Sequence, residues 1–378
     1  MNRDSLKSLY EKYGEKKFAA EVVNLINEGD VNESNFSLGA LWSAMGEPSL
    51  KPKAINMSAK VSENDFDIEE AIDSSAFPKI TGALINKVVQ EAYELEYGIG
   101  DMLVTKIPSS VKDETIVGFS EDMAMQEVEE NMAYQEGSIG EKYHKINNRK
   151  FGRIISLSEE MVKFDQTGQM VMRAKRIGEA ARGKHERIIM DAVLGLTASG
   201  INASWRPGGT ATTLYNSASA DPYTTATLDN LGAIVLADET DLDEAGALLG
   251  AFTDENGLPM VVNPKIMLTG MALRSTANKT CYSGQSVVSD SPAGSKNIYT
   301  GTDVKTSNYI DTLVSATAWY YGDFKKQFVY TDVFPLQVLQ AKAGNEKEFE
   351  NDIVIRFKAR FMGGAGAITN RYVVQANV

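Results

Sequence analysis

Among the 378 residues there are one cysteine and two histidines, so the chemistry open to this chain is narrow. Cys281, in Lys-Thr-Cys-Tyr-Ser, falls after an expected helix end and before a flexible loop, which leaves room for a reactive thiol. No candidate base stands beside it, so an inert thiol is expected. His144 lies among lysines and arginines, and His185 lies beside Lys184 and Glu186 on a long helical pattern; both read as surface or packing residues rather than bases. Nothing nominates the members of a Ser-His-Asp triad. Glu129-Glu130 could be imagined as metal ligands, but neighbouring side chains of a strand point to opposite faces. Gly363-Gly-Ala-Gly366 comes between two strand patterns without the helix that phosphate binding requires, and is read as a turn. No G-x-S-x-G elbow, Walker loop, H-E-x-x-H or dinucleotide fingerprint occurs. The expectation is no catalytic, cofactor-binding or metal site, hence no enzyme and no cofactor.

Composition points the same way. Hydrophobic residues at 43% and charged residues at 24% are those of a folded chain, long enough for two or three domains. A formal net charge of -13 argues against a surface built as a whole to attract nucleic acid, although local basic stripes survive inside an acidic total. A single cysteine excludes an intrachain disulfide and suits a cytosolic product. The charged start predicts no secretory signal, and no apolar run approaches the ~20 residues that span a bilayer.

Any functional residue must therefore be sought in the elements themselves. Residues 1–28 place Leu6, Leu9, Tyr10, Tyr13, Phe18, Val22, Val23 and Ile26 at helical spacing, with a break expected at Gly14. Residues 32–70 turn polar and suit an extended arm docked on a neighbouring surface. A helix is predicted over 73–97. Then the charge pattern becomes unusual. Asp113, Glu114, Glu121, Asp122, Glu127, Glu129, Glu130 and Glu136 stand in a stretch with no Lys or Arg, and Lys142, Lys145, Arg149, Lys150 and Arg153 in a stretch with no acid. The sign changes at Gly137-Ser-Ile-Gly140, which predicts a long hairpin with one acidic and one basic arm. Two solvated charged faces would give the same run, but a polar two-stranded ribbon is marginal alone and calls for a partner surface.

The longest helix is expected from Ser158 to about Leu196, broken near Gln166-Thr-Gly168, with Val171, Ala174, Ile177, Ala181, Ile188, Ile189, Ala192 and Val193 buried and Arg173, Lys175, Arg176, Arg182, Lys184 and Arg187 outside. Gly178 and Gly183 within it predict a bend or a close backbone contact. A Gly/Ser/Thr-rich loop over 197–223 precedes helices predicted at 227–238 and 241–249. A strand ending near Leu268 and a helix over 269–277 come next. Strands dominate after Ser307: 318–321, 328–330, 335–340, 352–362 and 371–375. Trp42 in the arm and Trp205 in the loop are candidate interface anchors, core burial in the same subunit being the commoner role of such residues.

The order of parts, namely docked arm, charged hairpin, long helix, Gly/Ser-rich loop, mixed module and late strands, resembles the HK97-like fold of tailed-phage major capsid proteins. Residues 145–162, Lys-Ile-Asn-Asn-Arg-Lys-Phe-Gly-Arg-Ile-Ile-Ser-Leu-Ser-Glu-Glu-Met-Val, look like a returning E-loop arm entering a spine helix. Residues 256–269, 316–321 and 355–368, the last reading Ile-Arg-Phe-Lys-Ala-Arg-Phe-Met-Gly-Gly-Ala-Gly-Ala-Ile, are similar to segments of the Mu-like capsid group. The resemblance covers roughly residues 75–378.

It implies an α+β chain divided into an N-terminal helix and arm (1–74), the start of a peripheral domain (75–112), the E-loop hairpin (113–157), the spine helix with more peripheral domain (158–222), an axial domain (223–325) and returning strands (326–378). The first part is an arm alone or an arm with a retained scaffold-like segment, and from a start at Met1 no removal of such a segment is expected. The implied function is a major capsid protein that assembles into pentamers, hexamers and an icosahedral shell around double-stranded DNA, in the virion after assembly in the host cytoplasm. Implied partners are further copies of itself, with scaffolding, portal and cement proteins, and no membrane. Glu127, Glu129, Glu130, Lys142, Lys145, Arg149, Lys150 and Arg153 would make intersubunit contacts along the hairpin. Lys-Asn crosslinking of the kind one branch of the family uses has hairpin lysines and Asn370 available, but no motif assigns a pair. The alternatives are a bacterial nanocompartment shell with the same fold and, in another class, an unrecognised hydrolase using a serine or Cys281 with a histidine.

Overall fold

The computed structural model describes residues 3–29, 31, 36–37, 39–41, 69–95, 98–121, 139–158, 160, 164, 167–197, 199–217, 219–220, 227–254, 258–288, 295–340 and 353–376. Helices and sheets are both present and interleaved along the chain, so the α+β class is met. The chain divides into two compact units, one of residues 1–97, 150–184 and 334–361, the other of residues 98–149, 185–333 and 362–378.

The first unit is built on helices α1 (Arg3–Glu28) and α2 (Glu69–Leu95). Gly14, at φ 64° and ψ 160°, interrupts α1 where the sequence predicts a break. Beyond it Phe18, Val22 and Ile26 recur at i, i+4 and i+8 and are fully buried, facing Ile80, Leu84 and Val88 of α2 in one core. Val31, Phe36 and Leu41 enter the same core. For Phe36 and Leu41 this corrects the expected docking on a neighbouring surface, since both find cover within their own subunit, while residues 42–68 of the expected arm lie outside the described residues. Strands β4 (Arg149–Ser158), β11 (Phe328–Gln340) and β12 (Ile353–Ala367) contribute the sheet part, with β12 between the other two. Ile155, Leu157 and Phe357 point into the core. Helix α4 (Thr167–Val193) adds Met170, Val171 and Ala174. At 27 residues it equals α2 in length rather than exceeding it.

In the second unit, short helix α3 (Gly100–Leu103) leads into β1 (Thr105–Pro108), which pairs in parallel with the start of β11, Thr105 opposite Val329. Strands β2 (Asp113–Glu121) and β3 (Ile139–Asn147) form a separate antiparallel pair. Short strands β5 (Ser219–Ala220) and β6 (Thr227–Leu228) pair with each other. A five-stranded sheet then joins β7 (Leu231–Gly232), β8 (Ile266–Thr269), β9 (Asp303–Thr306), β10 (Trp319–Gly322) and β13 (Val373–Ala376) in the order β7-β13-β10-β8-β9. Trp319, Tyr321 and Val374 lie in one core with α5 (Glu239–Gly250) and α6 (Arg274–Tyr282). Tyr320 and Val373 lie in a second core with Ile189, Met190 and Val193 of α4, α7 (Asn308–Leu313) and α8 (Phe324–Gln327). Adjacent residues of β10 and β13 serve opposite faces, so both faces of this sheet are covered.

Two local readings are corrected here. No helix forms over the described residues 227–238. Asn230 is buried, its Nδ2 donating to the carbonyls of Leu214 (2.9 Å) and Asn370 (3.0 Å) while its Oδ1 accepts from Asn216 N (2.7 Å). These bonds hold the segment extended in place of an intrahelical ladder. The following helix, α5, is present as expected but begins at Glu239 rather than Asp241, on a capping box between Asp238 and Asp241. The second correction concerns Gly363-Gly-Ala-Gly366, which lies inside β12 and not in a turn. A Cβ on Gly363 would stand 2.8 Å from Thr331 O, and one on Gly364 would stand 2.6 Å from Asn147 O. The glycines are there because neighbouring backbone passes too close for a side chain.

Candidate functional site

The three residues capable of chemistry are dispersed and covered. Cys281 lies in the last turn of α6 rather than beyond it, fully buried, with Sγ 3.6 Å from Met267 Sδ. Burial pushes its pKa up to about 11. The thiolate fraction at pH 8 is then about one in a thousand. Native protein at pH 8 is expected to resist a thiol-specific disulfide reagent and to label stoichiometrically once denatured; rapid labelling of the native chain would contradict the burial. His144, on β3, and His185, on α4, are also buried, His185 with its Nδ1 3.8 Å from Asp101 Oδ1 and its ring edge-on to Tyr330. Among the described residues no group of three or more His, Cys, Asp or Glu side chains could hold a metal, and no helix is long and apolar enough to cross a membrane.

What stands out instead is the ribbon β2/β3. Its register runs over nine pairs, from Asp113 opposite Asn147 to Glu121 opposite Ile139, so the two stretches do pair antiparallel, but Ile139 and Gly140 of the expected Gly137–Gly140 tip lie within β3, which corrects the turn, and residues 122–138 lie outside the described residues. It pairs with no other named strand. Its root is braced by the 202–209 loop: Gly208 N donates to Tyr143 O (2.9 Å) and Asn147 Nδ2 donates to Asn202 Oδ1 (3.2 Å).

The ribbon is anchored at one residue. Asn148, 1% exposed, donates from Nδ2 to Ser109 Oγ (3.0 Å) and Val111 O (2.8 Å), while its Oδ1 accepts from Thr331 Oγ1 (2.5 Å) and its own N–H donates to Lys112 O (2.8 Å). Ser109 in turn donates to the Glu114 carboxylate. Asn148→Leu keeps the volume and removes the donors, leaving Thr331 and Val111 without this partner. The expected cost is about 1–3 kcal/mol, read as a lower denaturant midpoint with unchanged slope. Next to this knot, burial raises the carboxyl pKa of Asp332, with Lys106 opposing. A raised carboxyl pKa means that the neutral form is preferred in the fold, so the contribution is present below the unfolded value and is lost as pH rises through the folded one. Asp332→Asn is therefore expected to raise the melting temperature slightly at pH 7 and to match the native chain below pH 4.

The sequence-predicted contact residues separate into three groups. Glu127, Glu129, Glu130 and Trp42 lie outside the described residues. Lys142 and Lys145 are on the ribbon, opposite Gly118 and Thr115, and the Lys145 Nζ lies 5.7 Å from the centre of the Tyr143 ring. Arg149, Lys150 and Arg153 are not on the ribbon, which is a correction. Asn148 ends β3, and these three residues open β4, all exposed, in the sheet with β12. There the alternation of β12 buries Phe357, Ala359 and Phe361 and turns Arg356, Lys358 and Arg360 to the other face. On β4 the buried Ile155 and Leu157 set the core side, so Lys150 and the 59%-exposed Ile154 share the outer face. A Cβ on Gly152 would touch Ala359 O (2.9 Å) and Arg360 Cβ (3.2 Å), which fixes the two strands side by side. This basic sheet face was missed in the sequence because its charges come from segments two hundred residues apart. Trp205, 2% exposed, packs in the core with Leu103, Leu214 and Tyr320, so it serves its own subunit rather than anchoring an interface. Asn370 is likewise buried, against the crosslinking role.

A separate two-stranded ribbon and a basic sheet face stand out among the described residues, while the cysteine and both histidines are buried. The sequence model of the family described as phage capsid protein matches residues 145–376, and the chain belongs to that family. It is thus a structural shell protein of the virion and not an enzyme. Comparison with the curated proteins gave no match. Among solved structures the chain is similar to one from Gordonia phage Cozz (13% identity, 74% of this chain and 86% of that one, TM-score 0.46). It is also similar to the capsid of a native GTA particle (11%, 75% and 91%, 0.47) and to the capsid of cyanophage P-SCSP1u (12%, 74% and 88%, 0.47). The family assignment rests on the sequence match.

Proposed function

We propose that this capsid protein is the major coat subunit of a tailed phage, assembling with copies of itself into pentamers, hexamers and a closed icosahedral shell around duplex DNA. Its parts take the HK97-like roles, in the Mu-like grouping: β2/β3 as the E-loop, α4 as the spine, the first unit as the peripheral domain and the five-stranded module as the axial domain. The observation that carries the reading is the family match over 145–376 together with a two-stranded ribbon that, among the described residues, joins no other named strand. A ribbon of that kind is marginal in water and is stabilised by a second surface. Its outgoing strand carries Asp113, Glu114 and Glu121, and the β4/β12 face of another copy carries Lys150, Arg356, Lys358 and Arg360. Charge complementarity sets register and partner more than raw affinity, and repetition around a closed shell multiplies weak contacts. Scaffolding, portal and cement proteins are further partners in this reading, with assembly in the host cytoplasm.

The test is electron microscopy of the protein expressed alone, with sedimentation at low and high salt. Closed shells or capsomer rings that loosen at high salt are expected. A monodisperse monomer at all protein concentrations would refute self-assembly by this chain.

A further inference from the structure

Among the described residues, two strands of nearly equal length and opposite charge have open edges: β2 with nine residues and β4 with ten. In the ribbon the outer edge of β3 is covered, because Lys145 N donates to Arg206 O (3.4 Å) and Gly208 N donates to Tyr143 O (2.9 Å). These bonds also fix the way β2 faces. In an antiparallel ladder the N–H and C=O of one residue point to the same side, so Tyr143 and Lys145, bonded to the loop, face away from β2. Their partners Val117 and Thr115 therefore turn their own N–H and C=O to the far edge of β2. Among the described residues no backbone hydrogen bond reaches that edge over 113–121. The other open edge is β4, which ends the order β1-β11-β12-β4. Arg149, Lys150, Gly152, Arg153, Ile154 and Ser156 are exposed along it. The remaining edge strands β1, β5, β6, β7 and β9 have four residues or fewer.

We infer that β2 of one copy adds as a strand to the edge of β4 in another copy, joining the ribbon to the four-stranded sheet through backbone hydrogen bonds. This rests on the reading of the chain as a self-assembling coat subunit and says how its copies join. An exposed edge is a row of unpaired donors and acceptors, which a strand from another chain completes. Within one copy β2 and β4 belong to separate sheets and do not pair, so the partner is a second copy. Charge selects which edges meet. β2 carries three acids and no base, and β4 carries three bases and no acid. Pairing β2 with β2, or β4 with β4, would set like charges side by side, which destabilises a sheet. The mixed pair is also heterologous: each copy gives one edge and receives another, so repetition runs head to tail and closes into rings where the rotation per copy allows.

Hydrogen–deuterium exchange of the full-length protein tests the pairing, with free subunits and assembled particles separated by sedimentation and shells counted by electron microscopy. In free subunits the edge-facing amides of 113–121 and 149–158 should exchange fast; in particles both strands are expected to slow together, by at least about tenfold. Thr115→Pro with Val117→Pro removes two edge-facing donors and no bond of the ribbon's own ladder, because proline is tolerated where the N–H faces outward. That variant should keep the wild-type urea midpoint and the slow exchange of 143–147 while closed shells are lost. Lys150→Glu with Arg153→Glu, on the β4 edge, should lose shells by like-charge repulsion and leave every β2/β3 pair in place. Shells in which 113–121 and 149–158 exchange as fast as in free subunits overturn the inference and leave the coat-protein reading standing. Slowing of only one of the two strands also overturns it, and gives that edge to a different partner. Normal shells from the proline variant do the same. Small oligomers with both strands slowed, in a protein that never closes shells, support the pairing and refute the closed shell alone. A protein that stays monomeric overturns both.

Discussion

Replacing Phe119–Glu141 by Asn-Gly is expected to leave a folded subunit that forms no closed shells. The deletion keeps Gly118 opposite Lys142 and all pairs below it down to Asp113 opposite Asn147. Asn-Gly supplies the two positive-φ positions of a tight turn whose twist matches the strands, so the shortened ribbon closes without strain. The Asn148 knot and the contacts of β3 with the 202–209 loop lie below the cut and stay intact. Stability measured by denaturant should thus change little. What goes is most of the acidic stretch 113–136, so the proposed contact with the next copy would be lost at every position of the shell at once. Sedimentation and electron microscopy read the outcome: free subunits or open rings support the role of the ribbon, and shells of normal size and salt tolerance would remove it from assembly.

The second large effect is on stability, at Gly178. A Cβ there would stand 2.5 Å from the carbonyl oxygen of Val89 and 2.7 Å from the Cβ of Ala92, both on α2. The nearest atom is backbone, so α4 and α2 must separate before any side chain fits, which opens the core of Leu84, Val88, Val171 and Ala174. Gly178→Leu is expected to cost about 3 kcal/mol or more despite the better helix propensity of leucine. Gly183 is the internal control. An added Cβ there meets nothing within 4 Å, so Gly183→Ala should stabilise by up to ~1 kcal/mol through propensity alone. Thermal or urea denaturation of the pair decides the matter, since equal effects at the two sites would mean that helix propensity rather than the α2 contact governs both.

These two glycines mark the boundary between what was legible and what was not. Their spacing in an apolar-striped run announced a bend or a close contact, but only the packing of α2 on α4 assigns the contact to one and open space to the other. Periodicity along the chain carried much of the local reading: the break at Gly14, the buried stripe Phe18, Val22 and Ile26, the pairing of two ribbon strands, and the strands after Ser307, while the helix expected over 269–277 forms at Arg274–Tyr282. Such signals survive because they depend on residues within one or two turns or one strand pair of each other.

The failures are those of long-range chemistry. The 227–238 segment has a helical look until Asn230 is seen to bond Leu214, Asn216 and Asn370, the last 140 residues away. Gly363-Gly-Ala-Gly366 resembles a turn until Thr331 and Asn147 crowd it. Arg149, Lys150 and Arg153 continue the basic run of the ribbon in sequence, but Asn148 redirects the chain and gives them to a different sheet. The sequence by itself determined that this is a folded, acidic chain with one cysteine and two histidines, and that it carries an acidic stretch followed by a basic one and a basic long helix. Tertiary structure alone decided which charges share a face, because a face is assembled from β4 and β12, or from one side of α4 once its other side is buried. Neighbours in space are chosen by packing, and packing is settled by partners that one-dimensional spacing does not name.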